Sequence, residues 1–383
     1  MSRYFSRIAL MLGNFVTGVS ILTPAGMLPE LSEGLHVSIR DAGLLVTYGA
    51  VILCIGSPLV AWLTTRLDRR LLLTATLAVL VIGQAASALA QDYFTVLAIR
   101  VGMLAVAAIY TPQAASTVGL IVPEKERASA IAFVFLGWSL AVAGGLPMVT
   151  FLAAHFGWRA AFGIAAGIAL IPCVLLALTL PGGLRGHPLS LRSFGIIARH
   201  RKIMTLLLIT LLHTSGQFTV FIYLSPLLQK LANAGPQTVG AMFALYGIAG
   251  FLGNVAASRI VLRLDTWATS GICLAATGSG LLLWALADGW LPLAGAGLIV
   301  WGLGFASTNS MQQARLVEAA PDLSSATIGL NTSTLYVGQA IGSALGGFLF
   351  AAGFLHVLGY SAIAFVVAGI AVWFATRERR VSI

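Results

Sequence analysis

Twelve apolar runs of roughly 20 residues dominate this chain, and each is long enough to cross the hydrocarbon of a bilayer as a helix. They fall at roughly 8–29, 43–64, 71–90, 95–119, 128–152, 160–180, 203–228, 237–258, 268–286, 291–313, 325–350 and 356–376. In lipid the backbone must satisfy its own N–H and C=O groups, so runs of this kind are confined to helices. Composition agrees: of 383 residues 58% are hydrophobic and 9% charged, with a mean hydropathy of +0.95. One aqueous globule cannot bury that much apolar surface, so the expected fold class is an all-α membrane protein. The opening MSRYFSR and its apolar run imitate a signal peptide, but the run is long enough to span and eleven more follow it. It reads as an uncleaved first helix.

Lysine and arginine set the expected orientation. The N-terminus and every second connection carry Arg3, Arg7, Arg66, Arg69, Arg70, Lys125, Arg127, Arg185, Arg192, Arg199, Arg201, Lys202, Arg259, Arg263, Arg315, Arg377, Arg379 and Arg380. The opposite connections carry only Arg40, Arg159 and Lys230. By the positive-inside rule both termini are expected in the cytoplasm. The net charge of +10 then faces anionic lipid headgroups and calls for no nucleic-acid partner. The three cysteines, Cys54, Cys173 and Cys273, each lie in an apolar run, so neither a disulfide framework nor a thiolate metal site is indicated.

The chain repeats itself. YGAVILCIGSPLVAWLTTRLDRR (48–70) and YGIAGFLGNVAASRIVLRLDTW (246–267) both begin Tyr-Gly and end near Arg-Leu-Asp. Pro123 and Pro321 recur in the same order just ahead of apolar runs. Gly137, Ala141 and Gly145 recur as Gly338, Gly342 and Gly346; both sets are spaced i, i+4, i+8, which gives each helix one face without bulky side chains. A duplicated six-helix unit follows, and its copies are parallel because six is even. The expected organisation is two parallel six-helix bundles, 1–181 and 203–383 with a basic tail, joined by a Gly, Pro and Arg-rich cytoplasmic linker at 182–202.

Over essentially its whole length this sequence resembles the major facilitator superfamily. After the second helix, AWLTTRLDRR resembles the superfamily's loop motif Gly-x-Leu-x-Asp-Arg-x-Gly-Arg-Arg, with Arg66, Arg69 and Arg70 at its basic positions. Thr65 stands at the motif's acid and Asp68 at its later glycine. LAIRVGMLAVAA (97–108) resembles the drug/proton antiporter motif that sets an arginine inside the membrane, and GWSLAVAGGLP (137–147) resembles the antiporter motif of the fifth helix, ending at Pro147. MLPELSEGLHVSIRDAGLLVTYG, HFGWRAAF and GQFTVFIYLSPLL are similar to the arabinose- and sugar-efflux branch, which includes nucleoside and chloramphenicol exporters. That resemblance implies outward transport driven by proton entry.

Candidate sites follow from polar residues placed within or beside the apolar runs. Arg100 lies about 9 Å along its helix, and intramembrane charge is costly enough to suggest a coupling or binding role. A structural tie to carbonyls or to a neighbouring acid stands beside that reading. Glu30 and Asp41 are its candidate carboxylate partners, and His213 is a further proton-coupling candidate. Asn14, Thr17, Tyr110, Gln113, Gln217, Tyr223, Asn309, Gln312, Asn331 and Gln339 form a pool of uncharged groups suited to a hydroxylated or amide-bearing cargo, or to hydrogen bonds between helices. Pro24, Pro58, Pro112, Pro147 and Pro226 are candidate kinks or hinges.

No glycine-rich phosphate loop, HExxH or CxxC pair occurs, so nucleotide-driven pumping, zinc chemistry and enzymatic turnover lack their residues, and no cofactor is expected. The sequence therefore predicts a monomeric secondary transporter that alternates access around a central polar cavity. Its partners would be a small-molecule substrate (a sugar, a nucleoside or a drug such as an amphenicol), protons and membrane lipids. A proton-independent facilitator or importer, of an anionic solute among others, and a transporter-like sensor remain as alternatives.

Overall fold

A computed structural model describes residues 2–64, 67–123, 126–184, 197 and 199–376. Arg66, Lys125, most of the linker and the basic tail lie outside the described residues. Every element among the described residues is helical. In chain order they are α1 (Ser2–Gly26), α2 (Leu28–Gly34), α3 (Ile39–Leu63), α4 (Arg69–Leu89), α5 (Tyr93–Ala107), α6 (Tyr110–Ile121) and α7 (Arg127–Leu140). A π-helical turn (Ala141–Gly145) leads into α8 (Leu146–Thr179), followed by α9 (Arg201–Phe221), α10 (Leu224–Ala232), α11 (Pro236–Ile260) and α12 (Thr266–Ala287). Last come α13 (Leu291–Ala319), a 3₁₀ turn (Pro321–Leu323), α14 (Ser324–Ala351) and α15 (Leu355–Ala375).

Among the described residues, eleven helical segments are long and apolar enough to cross a membrane. One of them, Ser129–Thr179, has 51 residues, and at about 1.5 Å per residue it far exceeds the roughly 30 Å of a hydrocarbon core. Gly157 resolves the excess: at φ 81° and ψ 160° it adopts a backbone that residues with a Cβ avoid, and the helix breaks there. Before the break, Thr150 Oγ1 donates to Gly26 O at the end of α1 (2.8 Å). After it, Ser6 Oγ, at the start of α1, donates to Thr179 O (2.8 Å). The chain has reversed between them, so this segment crosses twice and the spans number twelve.

Other breaks trace to proline, whose missing N–H leaves the carbonyl four residues earlier without its helical donor. Pro112 frees Ala108 where α5 gives way to α6, and Pro226 frees Ile222 where α9 gives way to α10. Pro147 frees Ala143, inside the π turn. Starts are set by side-chain caps: Asp68 accepts from Arg70 N and Leu71 N, Asp92 from Thr95 N, and Asp265 from Ala268 N. The repeated Arg-Leu-Asp thus has a local purpose, since Asp68 and Asp265 cap corresponding helices of the two repeats. Helix ends differ from the sequence reading at several places: the run 203–228 is divided between α9 and α10, and α13 continues to Ala319, which puts Arg315 inside a helix instead of a connection.

The chain divides into two compact units, Met1–Leu189 with Ile222–Ile248, and Ser190–Phe221 with Ala249–Ile383. In the first, the small-residue stripe faces α1. A Cβ built on Gly137 would lie 2.2 Å from Met11 O and 2.7 Å from Phe15 N, one on Gly145 would lie 2.4 Å from Val19 Cγ2, and the Ala141 methyl sits against Gly18. In the second, a Cβ on Gly338 would lie 2.8 Å from Leu211 O and one on Gly342 2.3 Å from Ser215 O, both on α9. Gly346 is buried. The same packing joint occurs in both copies of the duplicated unit.

Candidate functional site

Arg100 projects from α5 and is fully buried. Its Nη1 and Nη2 each donate to Ser20 O at 3.3 Å, and Nη2 also donates to Ile21 O at 3.2 Å. Pro24 explains why an acceptor is available there. Lacking an N–H, it leaves the Ser20 carbonyl, four residues back in α1, without its helical donor. A guanidinium presents its donors in a fixed planar fork, so a single side chain serves both adjacent carbonyls. Arg100 Nε has no partner, and no carboxylate ion-pairs with the guanidinium, among the described residues.

The candidate acids lie elsewhere. Glu30 sits on the first turn of α2, partly buried, with Oε2 unpartnered among the described residues. Burial does most to push its carboxyl above the ordinary carboxylate range; a backbone hydrogen bond acts the other way, and the Glu33 charge adds to the rise. Asp41 belongs to a cap: Ser38 Oγ donates to its Oδ2 (2.7 Å) and its N–H donates to Ser38 Oγ (3.0 Å) at the start of α3. His213 on α9 is fully buried, stacked on Phe305 of α13 with ring centroids 4.7 Å apart, and neither ring nitrogen has a partner among the described residues.

The uncharged pool separates by unit. In the first, Asn14 Nδ2 donates to Val134 O (3.0 Å) and its Oδ1 accepts from Thr111 (2.6 Å), Thr17 bonds back to Gly13 O (2.8 Å), and Tyr110 Oη donates to Leu10 O (3.4 Å). Gly13 lies under the Tyr110 ring and Gly43 under that of Tyr223, where a Cβ would collide. In the second, Gln312 Nε2 donates to Leu206 O (3.0 Å), Thr210 donates to Asn331 Oδ1 (2.7 Å), and Trp301 Nε1 donates to Gln217 Oε1 (2.6 Å). Asn309 Oδ1 and Gln339 Nε2 are buried without a partner among the described residues. Most of the pool therefore joins helices, while His213, Asn309 and Gln339 keep polar atoms uncommitted.

Comparison with known proteins decides the family. The model of the Major Facilitator Superfamily matches residues 10–342 and 206–382. This chain belongs to the major facilitator superfamily. It is 31% identical over 370 residues to the inner membrane transport protein YdhP of Escherichia coli (strain K12), covering 95% of this chain and 93% of that one. A probable sugar efflux transporter of Helicobacter pylori (strain HPAG1) is 26% identical, covering 93% of this chain and 89% of that one. Among solved structures a mutant form of the nucleoside transporter NupG aligns with a TM-score of 0.78 at 14% identity, covering 99% of this chain and all of that one. The protein is thus a multi-pass membrane transporter with the major facilitator fold, twelve spans in two six-helix bundles.

Set against the superfamily's loop motif, the segment after α3 departs in chemistry. Asp68, at the motif's later glycine, spends Oδ1 on the α4 cap and accepts from Gly183 N through Oδ2; Arg69 N in turn donates to Leu184 O (2.9 Å). The start of the linker is thereby held to α4. The Arg69 side chain is buried and donates to Gln113 Oε1, and Arg70 donates to Ala177 O. In the second unit Arg315, also buried, donates to Gln312 Oε1 (3.1 Å), Ser270 Oγ (3.4 Å) and Thr376 Oγ1 (2.6 Å).

Sequence reasoning passed over Trp301 and Phe305, which look like ordinary apolar residues. The signal was a register: Leu206, His213 and Gln217 meet Gln312, Phe305 and Trp301 in antiparallel order.

Proposed function

We propose that this transporter exports a small organic molecule, a sugar, a nucleoside or a drug such as an amphenicol, from the bacterial cytoplasm in exchange for protons. The observation that carries the coupling is Glu30, a partly buried carboxyl with an uncommitted oxygen, on the short helix that follows the interruption at Met27. Ionised, Glu30 favours exposure of α2 to water; protonated, it favours burial. Because α2 leaves the membrane directly beyond the stretch of α1 that Arg100 grips, the charge on Glu30 biases the position of that helix end. Arg100 serves as the anchor, holding the proline-freed carbonyl while α2 moves.

Several observations support the reading. The relative from Helicobacter pylori is named as a probable sugar efflux transporter, and YdhP as an inner membrane transport protein. The basic residues collect on the N-terminal side, which suits cytoplasmic termini in an inner membrane. The bundles 1–181 and 203–383 act as the two moving bodies of a monomer, exposing the cargo site to one side at a time.

Accumulation of radiolabelled cargo in everted membrane vesicles tests this directly. With an acid interior imposed, L-arabinose, uridine and chloramphenicol are offered in turn, and at least one accumulates against its gradient and is lost on adding a protonophore. Flux that survives collapse of the proton gradient would establish a facilitator and reject the exchange.

A further inference from the structure

Glu30 belongs to a helix of seven residues, too short to hold its place unaided, so its position is set by what packs around it. α2 packs against α1, α3, α8 and α10. Leu28 and Leu31, one turn apart, are fully buried, as is Met27 at the link to α1. Glu30 lies between the two leucines, partly buried and without an ion pair among the described residues. The titratable groups that the surrounding elements bring to this end of the unit are Glu33 on α2, His36 just after it, Arg40 and Asp41 on α3, His155 and Arg159 on α8, and Lys230 on α10. α1 carries its arginines at the opposite end. Glu33 is the one whose charge acts on the Glu30 carboxyl.

One element holds α2 at both ends. Ahead of α2, Thr150 Oγ1 of α8 donates to Gly26 O (2.8 Å), and a Cβ built on Gly26 would lie 3.2 Å from Leu146 Cδ2. At its last residue, Gly34 lies against the indole of Trp158: a Cβ there would lie 2.1 Å from Nε1 and 2.6 Å from Cδ1. Only a glycine lets the two come so close. Trp158 follows Gly157 directly, so the break that turns α8 back also delivers the indole to α2. The indole is itself held in place. It is buried, meets Phe162 edge to face at 6.0 Å, and is covered by the Arg159 guanidinium at 4.2 Å, whose Nη2 donates to Ala90 O (3.1 Å).

We infer that Trp158 is a positioning residue for Glu30: by closing on Gly34 it keeps α2 seated against α8 and the Glu30 carboxyl partly withdrawn from water. The assignment rests on the exchange reading above and deepens it, because it names the side chain that decides how much water reaches the coupling carboxyl. Loss of the indole frees the far end of α2, while the Thr150 bond still holds the near end, and the helix swings outward about Gly26. Glu30 then meets more water, its ionised form is favoured, and its proton is released at a lower pH.

The test is an infrared titration of the full-length protein in lipid nanodiscs, following the C=O stretch of the protonated carboxyl with the spectrum of the matching Glu30→Gln protein subtracted. It reads the Glu30 proton without any cargo. Trp158→Leu removes the ring, Trp158→Phe keeps a smaller one, and Gly34→Ala attacks the contact from the other side and carries the test if Trp158→Leu fails to fold. Trp158→Leu and Gly34→Ala are expected to lower the midpoint by about one pH unit, a tenfold loss of proton affinity, with Trp158→Phe between them and wild type. A Trp158 that served stability alone would lower the melting temperature and leave the midpoint in place. Unchanged or raised midpoints in the folded variants would therefore overturn the assignment. Accumulation of L-arabinose, uridine and chloramphenicol in everted vesicles separates this from the exchange reading. Lowered midpoints without proton-driven flux would uphold the positioning role and reject exchange, and proton-driven flux with unshifted midpoints would do the reverse.

Discussion

A guanidinium buried among apolar helices must find acceptors, and in this protein a proline creates one of them. Pro24 strips the Ser20 carbonyl of its helical donor, and Arg100 supplies donors from α5. Each residue offsets the cost of the other, which makes a double-mutant cycle informative. Arg100→Met should lower stability by about 1–3 kcal/mol, because it leaves a buried carbonyl unpaired. In a Pro24→Ala background, where an N–H returns to α1, the same substitution should cost less, by about 1 kcal/mol in thermal or denaturant unfolding; equal costs in the two backgrounds would separate the residues. Glu30 makes a second prediction, with a sign fixed by its raised pKa. The folded state holds the Glu30 proton more tightly than the unfolded chain, so stability falls as pH rises from the unfolded value through the folded one. Glu30→Gln should therefore melt above wild type at neutral pH, and the two melting curves should converge below the ordinary carboxylate range. A gap that persists in acid would show that Glu30 acts through packing alone.

Helices in this protein are joined by contacts that tolerate little added volume. The stripe on α7 and its π turn brings Gly137 so close to α1 that a methyl group there meets main-chain atoms, which cannot rotate away. Gly137→Ala should cost about 1–3 kcal/mol and be visible as a lowered melting temperature in detergent. Gly329, in α14 with open space around it, provides the control, and Gly329→Ala should leave the melting temperature equal or higher. Equal losses at both positions would mean that helix propensity, and not the joint with α1, controls the effect. The second joint, Gly338 and Gly342 of α14 against α9, was legible in the sequence as the same i, i+4, i+8 spacing. The stacked Trp267 and Trp373, 4.1 Å apart with each indole N–H donating to the other's carbonyl, were not legible, because they meet across 106 residues.

Across the molecule, what could be read in advance was whatever depends on local pattern. Apolar run length located the spans, the repeated Arg-Leu-Asp marked the duplicated unit, and small-residue spacing marked the helix joints; that Asp68 and Asp265 cap helices emerged only from the structure. Partners across helices were not readable. A tie to carbonyls was one of the readings open for Arg100, beside pairing with Glu30 or Asp41, but the carbonyls it meets, Ser20 O and Ile21 O, were not readable, since nothing in one helix's sequence reveals which carbonyl a distant proline has freed. His213 was singled out as a titratable residue, whereas its aromatic surroundings depend on how α9 and α13 fall into register. Central to the proposed mechanism is that cargo leaves as protons enter through a pathway governed by Glu30. Proton release on cargo addition, followed with a pH-sensitive dye in everted vesicles, measures it directly with wild type beside Glu30→Gln. Release in wild type and its loss in Glu30→Gln, with cargo exchange at equilibrium intact in both, is the expected result. Equal proton release from the two proteins would contradict the account.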